Sequence, residues 1–270
     1  MKTKDVCDLQ IIDRTQETNK NLVGKSISIL GDSISSFSEN YNKDERGNKW
    51  SDGLYTYKGN RVRYPQDNLL NDVNETWWMR LINRNNMELL VNETWAGSRI
   101  AWDGVTDNGT HQGPDIYVGS PTRVKRLDKE GRKPDIIMVF AGINDINHSS
   151  PLEDVGDDFK IDYKEDEIDS LDVTTFPNAY NAMLLRLKKY YPTSTIICLL
   201  PYYATGKSSA EKTDEYDNVM KKICELHGVT YVDLRKCKIP KYEQTEYIPD
   251  NLHPNEKGMK LIFEHVNKMN

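Results

Sequence analysis

Five short runs of apolar, mostly β-branched residues punctuate the chain, at residues 26–30, 88–93, 135–140, 195–200 and 230–233. Runs of this length with little polar interruption fit strands buried on both faces. Between them, apolar positions recur with helical spacing at about 75–84, 177–191 and 210–227, and a last such stretch covers 255–268. Alternation of this kind predicts an α/β fold, a three-layer α/β/α sandwich around a five-stranded parallel sheet. Right-handed crossovers and the flavodoxin-like strand order 2-1-3-4-5 are expected. Three stretches break the rhythm. Residues 37–74 and 101–133 hold Trp50, Tyr55, Tyr57, Tyr64, Trp102, His111 and Tyr117 without a helical or strand period, and residues 148–175 are strongly acidic. Long ordered loops often carry function, and their aromatic side chains either meet a ligand or pin the loop to the body.

Composition narrows the class. A chain of 270 residues, 37% hydrophobic and 29% charged, can bury a full core. We expect an N-terminal extension over residues 1–22 and a single domain over 23–270. No apolar run approaches the roughly 20 residues of a membrane span. The net charge of -6 and a pI near 5.5 give no electrostatic reason to bind nucleic acid. The start, MKTKDVCDLQIIDRTQETNKN, is polar and acidic where a secretory leader is apolar. That predicts a cytoplasmic protein, or a secreted one if a leader has been trimmed away. Cys7, Cys198, Cys224 and Cys237 lack metal-ligand spacing and are read as reduced. Asn92-Glu93-Thr94 matches a glycosylation acceptor but is discounted without a leader.

In a doubly wound sheet, ligands bind beyond the carboxyl ends of the strands. Gly31-Asp32-Ser33-Ile34-Ser35 follows the first predicted strand, Ala96-Gly97-Ser98 the second, and Gly142-Ile143-Asn144-Asp145 the third. Asp250-Asn251-Leu252-His253 precedes the last helix. Singly, each reads as a turn or helix cap. Jointly they supply what nucleophilic catalysis requires: a hydroxyl, a base, a group to orient the base, and donors for an oxyanion. Asp32 and Asp145 are expected to hydrogen-bond backbone within their own turns. No His or Cys stands where it would complete a metal site with them, so no metal or cofactor is expected. The Gly-x-Ser-x-Gly elbow is absent, because Ser35 occupies its second glycine position.

In order and in strand position, these four blocks resemble those of the SGNH (GDSL-type) hydrolases. The resemblance implies ester hydrolysis, with Ser33 as nucleophile, His253 as its general base and Asp250 orienting the imidazole. It further implies an oxyanion hole made of the Ser33 and Gly97 backbone N–H groups and the Asn144 side-chain amide. Pro254 restricts His253 to an extended backbone. Asp32, Ser98, Arg99, Trp102, Tyr202 and Tyr203 are candidate substrate contacts, with loop packing as their alternative. His111, His148, His227 and His265 have no motif partner and are read as structural or solvated. The expected activity is a carbohydrate O-acetylesterase acting on a small-molecule or glycan ester. Two alternatives stay open: a lysophospholipase or general short-chain esterase, and a catalytically silent glycan-binding module on the same fold.

Overall fold

The computed structural model describes residues 17–37, 42–43, 49–50, 69–104, 113–156, 158–204 and 208–269. Residues 1–16 of the expected extension, most of the 37–74 stretch with Tyr55, Tyr57 and Tyr64, and Cys7 and His111 lie outside the described residues. The apolar runs form β1 (Ser26–Gly31), β2 (Glu88–Thr94), β3 (Ile136–Phe140), β4 (Thr195–Leu200) and β5 (Thr230–Asp233). They pair in parallel in the order β2-β1-β3-β4-β5, as predicted. A two-residue antiparallel pairing joins Asn42–Lys43 to Lys49–Trp50 outside this sheet.

Burial follows position in the sheet. Every residue of β1 and β3 is buried, whereas β2 and β5, at the edges, keep exposed or half-buried positions, β2 chiefly in its first half. The period of two along each strand divides the core between two faces. Ile27, Ile29, Met138 and Phe140 join a cluster with Trp77, Leu81, Met259 and Ile262. Ile137, Val139, Cys198 and Leu200 join one with Phe176, Met183, Leu187 and Met220 on the opposite face. The two buried serines of β1 are satisfied: the Ser28 hydroxyl donates to the Leu127 carbonyl at 2.7 Å, and Ser26 exchanges hydrogen bonds with Asp135.

The helices are α1 (Trp77–Asn85), α2 (Pro121–Val124), α3 (Ile143–His148), α4 (Phe176–Tyr190), α5 (Ala210–His227) and α6 (Glu256–Val266). One face of the sheet carries α1 and α6, the other α4 and α5. The helix expected at 75–84 starts later, at Trp77. Asp72 and Glu75 close a capping box around a 3-10 turn, and Thr76 then caps α1 by accepting from the Met79 N–H. The short helices α2 and α3 fall where no helical period is visible. Among the described residues no helix is long and apolar enough to cross a membrane.

The chain leaves β1 outward to β2, then returns past β1 to β3. The carboxyl ends of β1 and β3 therefore flank the point where strand order reverses, which is where such sheets open a crevice. Gly31 makes their close approach possible, because a Cβ there would lie 2.5 Å from the Phe140 carbonyl oxygen.

Candidate active site

Asp32 ends the extended backbone of β1 and caps a single 3-10 turn, Ser33–Ser35, by accepting from the Ile34 N–H at 3.0 Å. Ser36 closes the turn twice, since its N–H and its hydroxyl both donate to the Ser33 carbonyl. The Asn92 amide from β2 holds the Ser35 carbonyl, and the Trp77 indole N–H donates to the Ser35 hydroxyl. Asn92 is thus buried and engaged, which leaves no room for a glycan at the Asn92-Glu93-Thr94 sequence. Ser33 is held on a rigid turn, its hydroxyl 2.9 Å from His253 Nε2.

His253 arrives from the far end of the chain. The turn before α6 is built around Asp250, whose Oδ1 accepts the N–H groups of Leu252 and His253 at 3.0 and 2.6 Å. Its Oδ2 lies 2.7 Å from His253 Nδ1. Asn251 takes a left-handed φ of 62°, a conformation Asn tolerates better than most side chains. From the loop after β4, the Tyr202 hydroxyl donates to the Leu252 carbonyl at 2.6 Å, fixing this turn against the sheet. Half-burial raises the proton affinity of Asp250, but hydrogen bonds from the His253 ring and from the His253 and Leu252 backbone outweigh it and draw the pKa down to about 2. An ionised carboxylate can only accept, so Nδ1 carries the ring proton and Nε2 presents a lone pair to the Ser33 hydroxyl.

Two further loops approach the end of β1, one through the Trp95 N–H, which donates to the Gly31 carbonyl at 3.1 Å, and one through Asn144, which reaches Asp32. Trp95–Ser98 forms a turn in which the Ser98 N–H donates to the Trp95 carbonyl and Gly97 takes a φ of 78°. A residue with a side chain would be strained at Gly97. Asn144, in the first turn of α3, donates from Nδ2 to the Ser98 carbonyl at 3.1 Å and makes a long 3.4 Å contact with Asp32 Oδ2. With acceptors on both sides, the amide is oriented nitrogen inward. Asp145 does not serve its own turn as expected. It reaches across to accept from the Ile100 and Ala101 N–H groups at 2.8 and 2.9 Å, with Ser150 as a third donor on α3's far side, and so ties the Gly97 loop to α3.

Burial pushes the Asp32 carboxyl up to about 7, helped by the nearby Asp145 charge and opposed by the Ile34 N–H and Arg123. Asp145 is likewise raised by burial, to about 6. A carboxyl that holds its proton more tightly folded than unfolded adds stability that is fully present below the unfolded pKa near 4 and is lost as pH rises through 7. Stability of the parent is therefore expected to fall between pH 5 and 8, with Asp32 contributing on the order of 2 kcal/mol of the drop. Asp32→Asn cannot ionise and should lose correspondingly less across the same interval, measured by urea unfolding at both pH values. Equal losses in parent and variant would contradict this assignment.

Other residues singled out in the sequence are placed as follows. The Ser98 hydroxyl turns inward, donating to the Trp95 carbonyl and accepting from Arg123. Arg99 pairs with Asp103 at 3.7 Å, and Trp102 stacks on Tyr117 with ring centroids 5.9 Å apart. The Tyr203 hydroxyl donates to Asp214 at 2.8 Å, toward α5. His227 hydrogen-bonds Asn181, and His265 the Asp233 carbonyl, while His148 lies exposed at the end of α3. Cys198, Cys224 and Cys237 are free and buried. Among the described residues no cluster of His, Cys, Asp or Glu could hold a metal ion. Sequence reading missed Arg123 and Glu93, a fully buried ion pair beside β1. It carries no motif, and only the oddity of a charged residue at an apolar strand end, Glu93, could have pointed to it.

The family model for GDSL-like Lipase/Acylhydrolase matches residues 25–270. Among solved structures, a protein from Bacteroides ovatus described as a GDSL-like lipase shares 28% identity, with a TM-score of 0.62 over 90% of this chain and 96% of its own. Another so described, from Bacteroides uniformis, shares 26% identity, also with a TM-score of 0.62, over 90% of this chain and 93% of its own. A family two carbohydrate esterase from Clostridium thermocellum has the same fold at 15% identity and a TM-score of 0.52, covering 91% of this chain and 63% of its own. No curated protein sequence matches.

Proposed function

Because this chain belongs to the GDSL-like lipase/acylhydrolase family, we propose that it is a serine esterase that cleaves acyl esters through an acyl-enzyme on Ser33, and that its substrates are O-acetylated carbohydrates. The observation that carries the reading is the unbroken succession Ser33 Oγ, His253 Nε2, His253 Nδ1, Asp250 Oδ2, with separations of 2.9 and 2.7 Å. In a family of hydrolases, a buried hydroxyl facing an imidazole whose tautomer is fixed by a carboxylate is an activated nucleophile.

In this mechanism Ser33 Oγ attacks the ester carbonyl as its proton passes to His253 Nε2. Asp250 stabilises the imidazolium. Negative charge on the former carbonyl oxygen is met by the Ser33 and Gly97 N–H groups and by Asn144 Nδ2. One Asn144 N–H is committed to the Ser98 carbonyl at 3.1 Å, and the other, with only its 3.4 Å contact to Asp32, is the one available to an oxyanion. The imidazolium then protonates the departing alcohol, and water, activated by the same imidazole, releases the acid. Residues 23–270 act as one hydrolase unit in this reading.

For the substrate, support comes from Trp102 in the loop after β2, a half-buried ring with one face laid on the buried Tyr117, since a flat ring suits a sugar face. The carbohydrate esterase that shares the fold is a precedent for such use of the scaffold. A panel of acetylated sugars and of esters with lengthening acyl chains tests this. The highest kcat/KM is expected for an acetylated sugar. Preference for long acyl chains would overturn the carbohydrate assignment in favour of a lysophospholipase.

A further inference from the structure

Arg123, in the short helix α2, is completely buried, and its two Nη groups make four hydrogen bonds while Nε meets a carboxylate as an ion pair. Nη2 donates to the Gly31 carbonyl at 2.6 Å and to the Glu93 carbonyl at 2.9 Å, which are the ends of β1 and β2. Nη1 donates to the Ser98 hydroxyl at 3.0 Å and to the Ile116 carbonyl at 2.9 Å. Nε faces the Glu93 carboxylate at 3.3 Å. These acceptors are not scattered. Gly31 lies two residues before Ser33, Ser98 follows Gly97, and the Ser98 carbonyl holds the Asn144 amide.

We infer that Arg123 is a positioning residue for the oxyanion-binding groups, locking the end of β1, the end of β2 and the Gly97 loop into one unit and so fixing where the Ser33 N–H, the Gly97 N–H and the Asn144 amide point. The inference rests on the proposal that Ser33 is the nucleophile. Burying a guanidinium is costly unless its charge is paired and most of its donors are matched; Glu93 supplies the pairing and the four Nη bonds the matching. A planar fork can serve several acceptors in fixed directions, which a lysine ammonium cannot. Neutralising an ion pair could have been done anywhere in the core. Here the donors instead converge on the segments that carry the three N–H groups.

The experiment measures kcat and KM for nitrophenyl acetate in the parent, Ser33→Ala, Arg123→Lys, the paired Arg123→Met with Glu93→Gln, and Ser98→Ala, each checked for folding by circular dichroism. Misplaced donors weaken transition-state binding more than ground-state binding, so the paired variant is expected to lose about 100-fold in kcat at unchanged KM. Arg123→Lys should recover only part of that loss, and Ser98→Ala should show a smaller fall in kcat, again at unchanged KM. Folded Arg123 variants with the parent kcat, changed only in melting temperature, would overturn the inference and leave Ser33 chemistry intact. Should the Arg123 variants fail to fold, Ser98→Ala decides: a lowered kcat supports positioning, and the parent kcat overturns it. A parental rate for Ser33→Ala would instead remove the esterase reading, and the role of Arg123 with it.

Discussion

Replacing Ser33 with alanine is expected to lower kcat for ester hydrolysis by a factor on the order of 10⁶, the scale on which loss of the nucleophile disables a Ser-His-Asp relay. Stability should change little. The Ser33 hydroxyl is bonded to His253 alone among the bonds that shape its turn, and the turn itself is held by Asp32, Ser36 and Asn92 through backbone groups that alanine retains. The expected pattern is therefore a variant with the parent's unfolding transition and almost no turnover of nitrophenyl acetate. Parent-like turnover by a folded Ser33→Ala would mean that another group performs the attack.

Asp250→Asn should cost about 10⁴-fold in kcat, through the ring tautomer rather than through geometry. Asp250 Oδ1 accepts two backbone N–H groups, so the carbonyl oxygen of an asparagine would be retained on that side. Its NH₂ would then face His253 Nδ1 across the 2.7 Å gap. Nδ1 must become the acceptor, the ring proton moves to Nε2, and the lone pair that takes the Ser33 proton is gone. Because the parent carboxyl is drawn down to about 2, this contrast should persist across the pH range in which the protein is assayed. Rates within an order of magnitude of the parent at neutral pH would show that Asp250 does not set the tautomer.

Much of the scaffold was legible because its signals are local. β1, β3 and β4 are buried almost throughout, and a strand covered on both faces is mostly apolar, which marks it in the sequence even where, as in β1, two serines are included. The four site blocks were legible for a related reason, since each sits directly after a strand or before a helix. What escaped were side-chain directions and pairings between loops. Ser98 and Tyr202 lie where a substrate contact was expected, yet the Ser98 hydroxyl turns to Arg123 and Trp95, and the Tyr202 hydroxyl braces the turn that carries His253. Asp145 bonds a loop more than forty residues away in sequence, at Ile100 and Ala101, rather than its own turn. Arg123 itself carried no signal, because its partners come from β1, β2 and the loop after β2. Such choices are made by what is unsatisfied nearby in the folded chain, and no local periodicity encodes them.

The same division explains the helices. Long amphipathic ones such as α4 and α5 were found within a residue or so of their ends, helped by Pro177 in the first turn of α4 and Gly228 at the close of α5. Six-residue α3 has too few turns to show a period, although it carries Asn144 into the site.

Acid-quenching a reaction with nitrophenyl acetate in its first turnovers, digesting the protein and weighing the peptides by mass spectrometry tests the central claim most directly. An acetyl group carried by the side chain of Ser33, absent after reaction of the Asp250→Asn protein for the same time, is the predicted result. Turnover of the ester with no acetylated Ser33 peptide at any quench time, or with the acetyl group on another residue, would contradict it.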